Sequence, residues 1–326
     1  MPNDTLRIGL LGTELAPLQA GAGGLENLVV GWGRELAKVH RVRLLSFAAA
    51  SDPFVETRTV TLASLRRETA DLDVVVTNNR LGPAALMAAP AVTVFHNTSD
   101  AWDTTTPPLK ASPVLAAVSR FLAGHASRTL GLPVGSVQPF IDPAFLEPGT
   151  EQRGEHLLFP NRTLRKKGVP ELLAALDIAT SVTVSFVANI SPWTVPTEEH
   201  TQLLTAIEAH PRARLIPRFE RPAALAAAMR SARAVLAPSV VEEGFGLVPT
   251  ESLATGTPTL VSSRGGLAEL LPLGAVEVDP KSPESLARAM IDPAPPPPGT
   301  PRAIAAGFSR SASAAALEHL LRQAAR

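Results

Sequence analysis

The stretch Pro238-Ser239-Val240-Val241-Glu242-Glu243-Gly244-Phe245-Gly246-Leu247-Val248-Pro249-Thr250-Glu251 decides the reading of this chain. Before it, Ala234–Ala237 is a short apolar run bounded by proline, the signature of a buried strand. After it, Val248–Ala254 reads as a helix, so Gly244-Phe245-Gly246 is a strand-to-helix turn at the strand's carboxyl end. Glycines there let backbone N–H groups come close to a ligand, and a helix N-terminus carries about half a positive charge toward an anion. A diphosphate fits such a turn. Glu243 precedes the turn and Glu251 lies one turn into the helix, so two carboxylates border one crevice. Each can accept paired hydrogen bonds from neighbouring hydroxyls, as a ribose or hexose offers. A bare Gly-x-Gly turn also occurs as a plain junction with a capping glutamate, so the wider pattern has to decide.

Working outward, short apolar runs alternate with alanine- and leucine-rich helical stretches, the pattern of parallel sheets wrapped by helices. Strands are expected at Leu6–Gly12, Val42–Phe47, Val74–Thr77 and Val92–Phe95, and again at His156–Phe159, Val182–Val187, Arg214–Ile216, Ala234–Ala237 and Thr259–Ser262. Helices are expected at Leu25–Val39, Pro170–Ala179 and Pro222–Ala232, among others. Polar residues with turn chemistry at Pro148-Gly149-Thr150-Glu151 mark the domain boundary. The expected division is 1–149, 150–300 and a terminal helical piece, 301–326. Pro293-Ala294-Pro295-Pro296-Pro297-Pro298 reads as a stiff spacer before a last helix that carries Leu317, Leu320 and Leu321 at helical spacing.

Composition narrows the function. Across 326 residues, 30 Lys and Arg balance 30 Asp and Glu, so there is no basic field for nucleic acid or anionic lipid. Cysteine is absent, which removes disulfides, thiolate metal sites and cysteine nucleophiles together and fits a reducing compartment. No run approaches the roughly 18 apolar residues of a membrane span. With no signal segment before the first strand, the expectation is a cytoplasmic protein without stable membrane insertion.

Three further groups of residues belong with the central block. Phe159-Pro160-Asn161-Arg162-Thr163-Leu164-Arg165-Lys166-Lys167-Gly168 places Arg162 and Lys167 at a strand's carboxyl end, where open α/β sheets bind ligands and fixed cations stabilise a departing diphosphate. Arg165 and Lys166 read as a solvated basic loop. The loop from Glu14 to Glu26, with Gly21, Gly23 and Gly24, permits close backbone approach to phosphate or acceptor. His96 follows the strand Val92–Phe95, and Asn97, Ser99, Asp100 and Asp103 follow it as candidate acceptor contacts.

Together, Glu243 through Glu251, the following Ser252-Leu253-Ala254-Thr255-Gly256-Thr257-Pro258 and Ser263-Arg264-Gly265-Gly266-Leu267-Ala268-Glu269 resemble the retaining glycosyltransferases of family 4. Phe308-Ser309 is similar to that family's C-terminal signature, and Ser119-Arg120-Phe121 to its Val-Ser-x-Phe turn. The resemblance implies an α/β protein of the GT-B fold, with two Rossmann-like domains facing across a cleft and a C-terminal helix crossing back to the first. The first domain would take the acceptor and the second a nucleotide-sugar, most often a UDP-sugar. It further implies transfer with retained anomeric configuration, without a metal or other cofactor. By the same resemblance Glu251 would hold the ribose hydroxyls and Glu243 the transferred sugar. Phe245, Gly246 and Leu247 would offer N–H groups beside Gly244 and Val248, Arg162 and Lys167 would stabilise the leaving group, Gly23 and Gly24 would face the donor, and His96 would contact sugar or acceptor. Asn97 and Asp100 join His96 as acceptor candidates.

Two departures stand out: Asn161 replaces the family's usual glycine before the arginine, and Gln138-Pro139-Phe140-Ile141-Asp142 lacks the Asn-Gly of the family's Asn-Gly-Val-Asp motif. They keep open a catalytically silent nucleotide-sugar-binding subunit, and a phosphorylase or nucleotide-sugar hydrolase on the same scaffold is a further alternative. The lack of a basic amphipathic face favours a soluble small-molecule acceptor, such as a specialised metabolite. Arg264 is the one candidate cation for an acidic sugar.

Overall fold

The computed structural model describes residues 5–13, 16–19, 23–98, 102, 114–188 and 196–326. The chain divides into two units, one of Met1–Phe140 with Arg310–Arg326 and one of Ile141–Ser309.

The first unit holds a seven-stranded parallel sheet. Its strands are β1 (Arg7–Leu11), β2 (Arg41–Ser46), β3 (Glu56–Thr59), β4 (Val74–Asn78), β5 (Ala91–Phe95), β6 (Val114–Ala117) and β7 (Gly135–Ser136), in the order β3-β2-β1-β4-β5-β6-β7. The middle strands are apolar on both faces, so both must be covered. Under one face, Leu11, Leu45, Leu65, Leu72, Val75 and Met87 form a core with α2 (Leu65–Glu68) and the turn after α3 (Gly82–Leu86). The other face is covered by α1 (Gly24–Leu36) and α11 (Arg310–Ala324), with α4 (Arg120–Leu130) beside β6. The fully buried Trp32 of α1 donates its Nε1–H to Ser313 of α11 at 2.8 Å, and Ser313 donates to the Gln138 carbonyl at 2.6 Å. Gly31 packs against Phe140, where a Cβ would collide with the edge of the ring.

The second unit repeats the plan with six parallel strands: β8 (Leu157–Phe159), β9 (Val184–Val187), β10 (Ala213–Ile216), β11 (Ala234–Ala237), β12 (Thr259–Val261) and β13 (Val276–Glu277). Their order is β10-β9-β8-β11-β12-β13. Helices α5 (Val169–Ile178), α6 (Glu198–Ala209) and α9 (Pro283–Ile291) close one face over Phe159, Leu172, Phe186, Leu236 and Met290. Leu172 is wholly enclosed, so its replacement by alanine would cost about 2–5 kcal/mol. Helices α7 (Pro222–Ser231), α8 (Leu247–Ala254) and α10 (Thr300–Gly307) complete the unit.

The expected alternation of strands and helices is therefore present, with ends within two residues of the sequence expectation where a strand was expected. Strands β3, β6, β7 and β13 are additional. The polar edge strand Glu-Thr-Arg-Thr, the Ala-containing β6 and two two-residue strands carry little of the β-branched pattern that marks a strand in sequence. Helix α10, between the proline run and α11, is also additional.

Both sheets share one consequence of their order. Connections leave β1 on one side and β4 on the other, and likewise β8 and β11, so each sheet has a topological switch point between its two central strands. At such a point the loops diverge and open a crevice at the carboxyl ends, the place where open α/β sheets receive ligands.

Candidate functional site

At the switch point of the second sheet, the loops after β8 and β11 meet. Lys167 donates from Nζ to Glu243 Oε1 at 2.5 Å, across a sequence separation of 76. The same carboxylate oxygen accepts from Ser239 Oγ at 2.6 Å. Both side chains are largely shielded, with 16% of Lys167 and 18% of Glu243 exposed. Burial acts to raise the Glu243 carboxyl. The Lys167 charge and hydrogen bond, the Ser239 hydrogen bond and the Arg162 charge outweigh it and hold the group below its usual range. Glu243 is thus an anion at neutral pH, and Lys167 its fixed counter-charge. Arg162 itself is exposed, as are Arg165 and Lys166.

Several local devices hold these two loops together. The Val240 N–H donates to the Lys166 carbonyl at 3.0 Å, and Ser239 Oγ, whose proton goes to Glu243, lies 3.0 Å from the same carbonyl. Gly168 adopts φ +89°, and a Cβ there would run into the Pro238 carbonyl. Asn161, in place of a glycine, is buried and donates Nδ2–H to the Leu236 carbonyl at 2.9 Å, tying the loop after β8 to β11. The side chain at this departure is a strut. Glu243 also pairs in parallel with Gly265, the Gly266 N–H donating to its carbonyl at 2.8 Å. This brings the Ser263–Glu269 segment alongside the Gly244–Gly246 turn.

Gly246, at φ +118°, starts α8, and a Cβ on it would sit 2.6 Å from Leu267. Phe245 is buried and packs tilted against Phe308 at 5.6 Å between centroids, so its side chain anchors the turn and only its backbone is left for a ligand. Leu247 and Val248 are half-buried at the helix N-terminus. Glu251, on the second turn of α8, is half-buried, and burial together with the nearby Asp142 charge pushes its carboxyl up to about 7. Asp142 caps the short turn Pro143–Phe145 by accepting from the Ala144 N–H at 3.0 Å. In the segment without Asn-Gly, the aspartate thus keeps a capping role.

The first sheet's switch point carries a cavity of about 240 Å³ lined by Leu11, Thr13, Phe47, Asn78, Arg80 and Asn97, among others. His96, directly after β5, hydrogen-bonds to two of the cavity's lining residues, Asn78 and Asn79. Its Nε2 is 2.8 Å from Asn78 Oδ1, and its backbone N–H donates to Asn79 Oδ1 at 2.6 Å. Burial pushes the imidazole down to about 3, so His96 is neutral at physiological pH. Asn79 adopts φ +58°, a left-handed conformation that asparagine tolerates better than most residues. Sequence reasoning passed over both asparagines, because an Asn-Asn pair at a strand end reads as an ordinary turn. Gly23 and Gly24 begin α1, where the buried Glu26 accepts from Thr13 Oγ1 at 2.9 Å. Ser119 caps α4 through the Leu122 N–H at 3.0 Å. Glu14, Gly21, Ser99, Asp100 and Asp103 lie outside the described residues.

The comparisons with known proteins fit this geometry. D-inositol 3-phosphate glycosyltransferase 1 of Catenulispora acidiphila is 30% identical over 215 residues, 56% of this chain and 51% of that protein, so the match spans about half of the curated relative's length. Sucrose-phosphate synthase of Thermosynechococcus elongatus superimposes with a TM-score of 0.79 at 17% identity, covering 98% of both chains. Anabaena HepE in complex with UDP and glucose gives 0.74 at 15% identity, covering 98% of this chain and 100% of that one. At such identities the likeness is one of fold, that of GT-B glycosyltransferases with two Rossmann-like domains. No helix among the described residues is long and apolar enough to cross a membrane. The family model described as "Family 4 Glycosyltransferase in conflict systems" matches residues 109–324, the span that contains the Lys167–Glu243 pair and the Gly246 turn, and the chain belongs to that family.

Proposed function

We propose that the protein is a retaining, metal-independent glycosyltransferase that moves a hexose from a UDP-sugar to a soluble small molecule in the cytoplasm. The observation that carries this reading is the shielded Lys167–Glu243 pair beside the Gly246-led N-terminus of α8, at the switch point of the second sheet. The donor would lie there. Its ribose hydroxyls would donate to Glu251, its diphosphate would meet the Phe245, Gly246 and Leu247 N–H groups, and its sugar would contact Glu243. Donor selection of UDP is supported by HepE, which binds UDP and glucose on the same fold.

In the transfer step the bond between the sugar's anomeric carbon and the β-phosphate oxygen breaks. A bond to the acceptor oxygen forms on the same face, and the departing phosphate oxygen takes the acceptor's proton. Charge then grows on the nucleoside diphosphate. Lys167, Arg162 and the α8 N-terminus meet it with fixed positive charge, and loss of one such donor typically costs about 2.7–4 kcal/mol of barrier. The acceptor would occupy the first unit, in the cavity whose lining includes Asn97, next to His96 through Asn78 and Asn79. Asp100 is a further acceptor candidate by the family resemblance alone.

The test is nucleoside-diphosphate release from UDP-, GDP-, ADP- and TDP-sugars, with wild type and Glu251→Ala side by side, with and without chelator. Release from a UDP-sugar, lost in the variant and indifferent to chelator, is the expected result. Absence of both release and nucleotide binding would overturn the reading, and complete loss with chelator would overturn its metal-free part.

A further inference from the structure

We infer that Asn78 is a positioning residue for His96: its amide fixes the imidazole with the proton on Nε2 and leaves Nδ1 as the ring's lone-pair acceptor. The two ends of the Asn78 amide set the tautomer. Asn78 Nδ2 lies 2.6 Å from the Leu11 carbonyl, which can only accept, so the NH₂ end of the amide must face it. The opposite end is then the amide oxygen, also an acceptor only, and it lies 2.8 Å from His96 Nε2. The shared proton therefore has to come from the ring. A neutral imidazole carries one N–H, and burial keeps this ring neutral. Nδ1 is left unprotonated, and among the described residues nothing hydrogen-bonds to it.

The surroundings are built to keep the ring from turning. Asn79 clamps the His96 backbone N–H at 2.6 Å from a left-handed conformation, and the buried Trp32 ring lies 6.2 Å from the imidazole. One residue deeper, the Thr77 and Thr93 hydroxyls bond to each other at 2.8 Å, joining β4 to β5 below the pair. Asn78 and Asn79 also line the cavity at the first switch point. A lone pair at Nδ1 selects what can sit against it: a hydroxyl or other donor is welcomed, whereas a bare phosphate or carboxylate oxygen is repelled. The substrate group met by His96 is therefore a hydroxyl, of sugar or acceptor. That last step rests on the glycosyltransferase reading; the tautomer does not.

The experiment combines imidazole ¹⁵N spectra of the full chain with steady-state turnover of UDP-glucose. His96→Gln assigns the His96 signals. Wild type should show a protonated Nε2 and an unprotonated Nδ1. Asn78→Leu should mix the tautomers and lower kcat on the order of tenfold to a hundredfold, with donor KM little changed. Asn79→Gly, which loses only the backbone clamp, should keep the Nε2–H tautomer. A wild-type ring protonated on Nδ1 would overturn the inference even if Asn78→Leu failed to fold. So would a folded Asn78→Leu with wild-type tautomer or wild-type kcat. A wild type with the expected tautomer that neither turns over UDP-glucose nor binds UDP would refute the glycosyltransferase reading alone.

Discussion

Lowering the pH from 8 to 5.5 should weaken binding of UDP-glucose about 30-fold, because Glu251 has to be ionised to accept two ribose hydroxyls. In the free protein burial and Asp142 hold that carboxyl at about 7. Near pH 8 it is already an anion and binding meets no proton cost. At pH 5.5 the proton must leave about one and a half pH units below its pKa, which costs roughly 2 kcal/mol at 1.36 kcal/mol per unit. Neither of the other shifted candidate residues titrates in this window: His96 sits at about 3 and Glu243 is held below its usual range, so both keep their charge state throughout. The phosphates of UDP-glucose are diesters with no proton to exchange there, so the sugar nucleotide is a cleaner probe than UDP. Isothermal titration across the range, with Glu251→Gln alongside, is the assay. The variant should bind more weakly at pH 8 and show no pH slope. A flat wild-type profile, or an equal slope in the variant, would refute the ribose role. The same shift has a stability counterpart of opposite sense. A carboxyl raised from 4.5 to about 7 on folding favours the native state fully below 4.5, and that advantage, no more than roughly 3 kcal/mol, disappears as pH rises through 7. Glu251→Gln should flatten that slope in denaturant titrations.

Further expectations follow from the loops of the second unit. Lys167→Ala should slow turnover at saturating donor by about 10²–10³, measured as UDP release, while destabilising the fold by roughly 1–3 kcal/mol through the stranded Glu243. Unchanged kcat would remove Lys167 from the mechanism. Gly246→Ala should cost about 1–3 kcal/mol in a urea titration, since φ +118° and Leu267 at 2.6 Å both oppose a side chain. Asn161→Gly should lose about 1–2 kcal/mol with nucleotide affinity intact, because the side chain braces the Leu236 carbonyl. A large loss of affinity without loss of stability would instead make Asn161 a ligand contact.

What the sequence disclosed follows from range. Buried parallel strands such as Val74–Asn78 and Ala234–Ala237 are apolar on both faces, so they stand out against polar turns. The Glu243–Glu251 block is local, and its turn and helix start could be read within one window. The bond between Lys167 and Glu243 could not, because it joins residues 76 apart through a strand order that only the folded sheet defines. Within the basic loop, residue type alone does not separate Lys167, paired and shielded, from Arg162, which is exposed. Likewise Asn161 read as a flaw in a motif, and its buried hydrogen bond shows it to be a brace. The Asn78 contact with His96 depends on β4 and β5 being neighbours in the sheet, and no spacing rule announces it.

The return of Arg310–Arg326 to the first unit gives synthesis an order. The second unit, Ile141–Ser309, is continuous and has all its strands and helices once Ser309 has been made. The first unit, although its strands precede those of the second, waits for α11. Until Ser313 arrives, the Trp32 indole lacks its hydrogen-bond partner and the α1 face that α11 covers stays wet. The unit whose strands come first in the chain is thus the one that finishes folding. A released chain ending at Ser309 should hold a folded second unit and an incomplete, protease-sensitive first one.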